Sequence, residues 1–132
     1  MTTACDFFEG RAGLLPLAGH RDARGELLPL AFDGLPFVPC RAFLVRDVPA
    51  GTERGGHAHA CGQQLLLCVS GRLSVELRCT GREARCTLEP GGPGLLLHAG
   101  VWSRQTYELP GTALLALASE PFDPASYIQE PR

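Results

Sequence analysis

A chain of 132 residues, 45% of them apolar, with a formal charge of −2, suits one domain with a substantial core. The near-neutral balance provides no broad basic surface for nucleic acid, and no apolar run approaches the length of a membrane span. All twelve basic residues are Arg, so side chains that meet anions must be Arg or His, and a Schiff-base lysine is excluded.

In chain order, positions 1–10 include Asp6 and Glu9 and lack a long apolar stretch, so no secretory leader is expected. Six cysteines occur, none in a C-x-x-C pair. That predicts a cytoplasmic protein with reduced thiols and no zinc knuckle. Strand-length apolar runs follow at 26–32, 37–45, 64–70, 73–79, 84–88, 95–98, 103–109 and 113–119. Leu73 to Leu77 alternates as a half-buried strand should, and Ser70-Gly71-Arg72 and Thr80-Gly81-Arg82 suit tight hairpins. The run at 65–69 is apolar on both faces and predicts a second layer or subunit against it; Cys68 within it reads as a small core residue. Only 123–129 suits a short helix, with Asp123 as cap and Pro124 in the first turn. Many short strands at regular spacing predict an all-β jelly-roll barrel of two antiparallel sheets, occupying 1–132 as a single domain.

The chemistry concentrates in Arg54-Gly55-Gly56-His57-Ala58-His59, followed by Gln64 and Gly71. Two histidines one residue apart on a strand point to the same face. On a barrel interior they are either half of a metal site or a proton-transfer pair. The spacing G-x5-H-x-H-x4-Q-x6-G matches the leading cupin signature, except that Gln64 replaces the acidic ligand. The trailing signature, G-x5-P-x-G-x2-H, finds Gly92 and Gly100 but has Ser103 at its ligand position. A catalytic zinc or iron site ordinarily needs three protein ligands, so the expectation is no metal and acid–base work for the histidines. The plainer alternative is a pair of hydrogen-bonded core histidines in a binding module. Arg54 offers a fork for a phosphate, Arg24 is a second such candidate or a turn residue, and Trp102, beside Arg104, can either stack on a base or pack in the core.

Taken together, Asp22-x-Arg24-Gly25, the R-G-G-H-A-H element, Gln64, Val69-Ser70-Gly71, Gly100-Val101-Trp102, Leu117-Ala118-Ser119 and Tyr127-Ile128 resemble the dTDP-sugar 3,4-ketoisomerases, which are cupins. The resemblance covers residues 22 to 128. It implies conversion of dTDP-4-keto-6-deoxyglucose to a 3-keto isomer, in deoxyaminosugar biosynthesis. It also implies that no cofactor or metal is used and that the protein is a homodimer exchanging an N-terminal arm within 1–21. By the same resemblance His57 and His59 are the catalytic pair, and Arg54, Gln64, Trp102, Arg104 and Arg24 serve substrate binding. The family often carries a tyrosine in the strand before the histidines; residues 41–46 have none. The alternatives are a dTDP-sugar 3,5-epimerase, which shares the D-x-R-G element, a non-catalytic ligand-binding cupin, and a metal-dependent dioxygenase.

Overall fold

The computed structural model describes residues 5–131. The first four positions of the expected 1–21 arm, and Arg132, lie outside the described residues. Two antiparallel sheets pack face to face. One runs β1 (Cys5–Phe7), β2 (Ala12–Leu15), β10 (Gly94–His98), β7 (Gln63–Ser70), β12 (Ala113–Ala118), β5 (Arg41–Val45). The other runs β13 (Tyr127–Ile128), β6 (Thr52–His59), β11 (Trp102–Tyr107), β8 (Leu73–Cys79), β9 (Arg82–Leu88). A small hairpin of β3 (His20–Asp22) and β4 (Gly25–Leu27) stands apart. The jelly-roll expectation therefore holds.

The core between the sheets takes alternate residues of each strand. Leu73, Val75, Leu77 and Cys79 of β8 face Leu66 and Cys68 of β7, Leu95 and Leu97 of β10, and Leu114 and Ala116 of β12. Burial of this apolar surface is the main force holding the sheets together. The doubly apolar run of β7 has a specific cause. Its other face, Leu65 and Leu67, joins Leu15, Leu96, Leu117 and Phe37 in a second cluster, with Leu17, Leu28, Leu30 and Leu35 packed against it. The segment from Leu15 to Phe37 thus covers the outer face of the six-stranded sheet. Thr112, fully buried, fixes the strand ends near Gly71: its hydroxyl donates to the Leu109 carbonyl at 2.7 Å and accepts from the N–H groups of Arg72 and Leu109, each at 3.2 Å.

Several elements differ from the sequence expectation. The run at 26–32 is strand only to Leu27, and Phe32–Gly34 forms a 3₁₀ turn. The run at 37–45 begins its strand only at Arg41. Strands β1, β2, β3 and β13 are short pieces that no apolar run announces. The helix expected at 123–129 is a single 3₁₀ turn, Pro124–Ser126. Its cap is as expected, the Asp123 carboxylate accepting from the Ala125 N–H at 3.0 Å. Beyond it the chain turns extended and pairs with β6, because Tyr127 and Ile128 complete that sheet edge. Among the described residues no helix is long and apolar enough to cross a membrane.

Candidate active site

Strand β6 carries the site, and a bulge shapes it. Ser103 of β11 lies opposite His57, yet the next residue, Arg104, lies opposite Gly55, leaving Gly56 as an extra residue in β6. Gly55 and Gly56 have φ of 85° and 78°, a left-handed conformation that glycine adopts without a Cβ penalty. Without the bulge, Arg54 and His57, three apart, would point to opposite faces. With it, Arg54 lies opposite Gln105 and shares the inner face with His57.

The result is a cavity of about 120 Å³ between the sheets, with two kinds of wall. Phe43, Val45, Leu66 and Leu114 are apolar; Arg54, His57, Gln64, Ser103, Gln105 and Tyr107 are polar. His59 opens on an adjoining narrow cleft with Arg41 and Gln64. Tyr127 borders both spaces. The two imidazoles lie 5.2 Å apart, ring centre to ring centre, nearly perpendicular at 79°. Tyr127 stacks on His57 at 4.5 Å and meets His59 edge-on at 4.6 Å. The cross-strand pairing of Tyr127 with His59 puts that ring there.

Electrostatics keep both histidines neutral at physiological pH. Burial pushes His59 down to about 4, helped by repulsion from His57 and from the Arg41 guanidinium. Burial also lowers His57, partly opposed by a hydrogen bond to the Gly55 backbone. Both rings therefore hold a lone pair free to accept a proton. Among the described residues, no three His, Cys, Asp or Glu side chains come together as a metal-ligand group. Gln64 and Ser103, at the ligand positions of the motif, are poor donors for zinc or iron.

Of the residues picked out from sequence, His57, His59, Arg54 and Gln64 converge. The other three do not. Trp102 and Arg104 alternate with Ser103 and Gln105 and so face the outside of the sheet. Trp102 is buried, its indole N–H donating to the Gln129 carbonyl at 3.0 Å, with the Arg78 and Arg104 guanidiniums 5.5 and 5.4 Å from its ring centre. Arg104 pairs with Glu53 at 2.9 Å and Glu76 at 2.8 Å. Burial works against ionisation of Glu76, but hydrogen bonds from Arg104 and Arg78 outweigh it and hold the carboxyl below the usual range. Arg24 lies on the exposed β3–β4 hairpin, tied to Asp22 at 2.7 Å. Sequence reasoning passed over Arg41, Gln105 and Tyr107, and took Tyr127 only as part of the family resemblance, not as a site residue. The inward positions of Gln105 and Tyr107 follow from Ser103 by alternation; those of Arg41 and Tyr127 depend on long-range pairing.

Comparison with known proteins agrees with this architecture. The family model described as FdtA: WxcM-like, C-terminal matches residues 11–132. A curated relative from Aneurinibacillus thermoaerophilus, TDP-4-oxo-6-deoxy-alpha-D-glucose-3,4-oxoisomerase, is 28% identical over 110 residues, covering 83% of this chain and 79% of the relative. The 3,4-ketoisomerase QdtA from Thermoanaerobacterium thermosaccharolyticum, solved as a double mutant in complex with TDP, superposes with a TM-score of 0.86 at 29% identity, covering 91% of this chain and 88% of that one. Another QdtA structure holds TDP-4-keto-6-deoxyglucose. The WlaRB TDP-quinovose 3,4-ketoisomerase from Campylobacter jejuni is 30% identical with a TM-score of 0.83, covering 90% and 92%. A dTDP-4-dehydrorhamnose 3,5-epimerase from Bacillus anthracis shares the fold, with a TM-score of 0.83, at 15% identity over 96% of this chain and 81% of the epimerase.

Proposed function

Because the chain belongs to the FdtA family (WxcM-like, C-terminal), we propose that it is a sugar-nucleotide 3,4-ketoisomerase acting on dTDP-4-keto-6-deoxyglucose in deoxyaminosugar biosynthesis. The observation that carries this reading is the pair of imidazoles 5.2 Å apart, both lowered by burial, with His57 lining a largely polar cavity of about 120 Å³ and His59 the narrow cleft beside it.

The C3–H of such a substrate is acidified by the adjacent C4 carbonyl. A base removes it, the electron pair forms a C3–C4 double bond, and C4–O becomes an enediolate oxygen. The O3 proton is then lost as C3=O forms, O4 is protonated, and a proton returns to C4. The net change moves one hydrogen between carbons and one between oxygens, with no external oxidant or reductant. Two groups suit these two tasks. We assign His59 to the carbon proton, because burial and the nearby Arg41 guanidinium keep it unprotonated. His57 is assigned to the oxygens, with Gln64 holding a hydroxyl. Once one ring takes a proton, the short separation opposes protonation of the other, which keeps one base available. Arg54, at the exposed end of the cavity, faces the diphosphate with its two-point fork.

The donor set favours a metal-independent reaction, for which full turnover after chelation is the expected result. We also read the protein as a homodimer exchanging its N-terminal arm. In the chain as described, β1–β2 forms the outer edge of the six-stranded sheet, joined to β3 by non-strand residues 16–19. Light scattering on the purified protein checks this, a monomeric mass being the contrary result. The epimerase reading is weaker, since at 15% identity that likeness carries the fold alone and the H-A-H pair is intact. The two histidine roles are tested by His57→Asn and His59→Asn, following hydrogen exchange at C3 in D2O. Loss of exchange is expected for His59→Asn, whereas undiminished exchange in both variants rejects the assignment.

A further inference from the structure

Two imidazoles with different tasks have to be held at a fixed angle, and the strand backbone does not do this alone. The last side-chain torsion of histidine is broad, so each ring needs a neighbour to set its plane. In the Ser-His-Asp arrangement a carboxylate does so. Here the groups that act on the two rings are the Gly55 backbone, the Arg41 guanidinium and, for His59, the His57 ring; no carboxylate is among them. What both imidazoles share is Tyr127. Its half-buried ring lies nearly parallel to His57, at 16° and 4.5 Å, and nearly perpendicular to His59, at 73° and 4.6 Å. Offset stacking and edge-to-face contact are the two arrangements that aromatic rings favour, and one phenol supplies both.

The segment around Tyr127 is itself tied down on four sides. The Asp123 carboxylate caps its 3₁₀ turn through the Ala125 N–H at 3.0 Å. The Ala60 N–H donates to the Ser126 carbonyl at 2.7 Å. Tyr127 and Ile128 pair with His59 and Ala58. Beyond them the Trp102 indole N–H donates to the Gln129 carbonyl at 3.0 Å. The ring also meets Phe122 edge-on at 6.0 Å.

We propose that Tyr127 is a positioning residue for the isomerisation, its ring setting the planes of both imidazoles so that one addresses the carbon-bound proton and the other the oxygens. The proposal rests on the isomerase reading for the task of each ring. Only the aromatic ring takes part; nothing is asked of the hydroxyl. Trp102 thereby bears on the site from the outer face, by holding the segment that carries Tyr127.

The test compares Tyr127→Phe, which keeps the ring, with Tyr127→Ile and Tyr127→Leu, which keep an apolar strand residue without one. With TDP-4-keto-6-deoxyglucose, the phenylalanine variant is expected to hold kcat within about twofold of the parent. The two ring-free variants are expected to lose about ten- to a hundredfold in kcat, with affinity for TDP unchanged throughout, since the ring aligns imidazoles and does not hold the nucleotide. An equal loss in the phenylalanine variant overturns the proposal, as does ring-free activity within twofold of the parent or a loss confined to KM. A second readout needs no turnover. In the free protein, nuclear Overhauser contacts between the His57 and His59 ring protons should persist in Tyr127→Phe and weaken in both ring-free variants; contacts of parental strength there reject the positioning role. An inactive parent rejects the isomerase reading instead, and the imidazole contacts then decide the positioning by themselves.

Discussion

The glycine pair in β6 gives the sharpest check on how the site is built, because its two members carry different loads. Both sit at positive φ, 85° for Gly55 and 78° for Gly56. Alanine at either therefore meets the left-handed penalty of about 1–2 kcal/mol. Their surroundings differ. A Cβ on Gly56 meets only the Trp102 ring edge at 3.8 Å, ordinary contact, whereas on Gly55 it falls 2.9, 3.0 and 3.2 Å from the Gln105 amide. Gln105 is buried, so moving its amide off its rotamer adds about 1 kcal/mol. Gly55→Ala is thus expected to cost about 2–3 kcal/mol and Gly56→Ala about 1–2 kcal/mol. For a domain of this size that is a fall in melting temperature of roughly 8–12 °C against roughly 4–8 °C. Urea unfolding followed by circular dichroism, with equal m-values, measures the difference. Turnover should fall further in Gly55→Ala than stability alone explains, since the same shift displaces Gln105 and re-aims Arg54. Equal costs at the two positions, or a larger cost at Gly56, would refute the reasoning.

The lowered histidines set a pH dependence. Between about pH 4 and 6.5 the unfolded chain binds protons that folded His59 does not, so stability falls as pH drops through that window and is flat above it; melting curves from pH 4 to 8 should show this slope reduced in His59→Asn. On the same ground kcat/KM should stay level down to about pH 5, and a bend near 6.5 would assign the base to an unperturbed imidazole. Glu76→Gln removes the charge that Arg78 and Arg104 share at 2.8 Å. It should destabilise by about 1–3 kcal/mol, read by urea unfolding, with changed Trp102 fluorescence. Thr112→Val strands the Arg72 and Leu109 N–H groups and should cost about 1–3 kcal/mol, an isostable variant being the contrary result.

The parts of this fold that sequence reveals are those decided by local alternation. Strands β7, β8, β10 and β12 are apolar runs with turn residues at their ends, and their registers follow from which face must be buried. The H-x-H pair is legible for the same reason, since period 2 alone puts both rings on one face. What escapes is whatever depends on distant partners. Strand β13 has two residues and exists only because β6 offers it an edge, so the Tyr127 ring against both histidines carries no local signal. The bulge at Gly55–Gly56 is written as a G-G pair, yet that it brings Arg54 inward depends on the β11 register. Trp102 and Arg104 show the converse: an aromatic ring beside an arginine drew attention to them, while alternation from Ser103 assigns them to the outer face.

The most direct measurement is an NMR time course of the purified, chelator-treated protein with dTDP-4-keto-6-deoxyglucose in D2O. The account predicts a 3-keto sugar appearing with deuterium at C4, the C4 coupling then giving its configuration. A substrate that binds and stays unchanged, or one that exchanges at C5 as well as C3 without carbonyl migration, would contradict it.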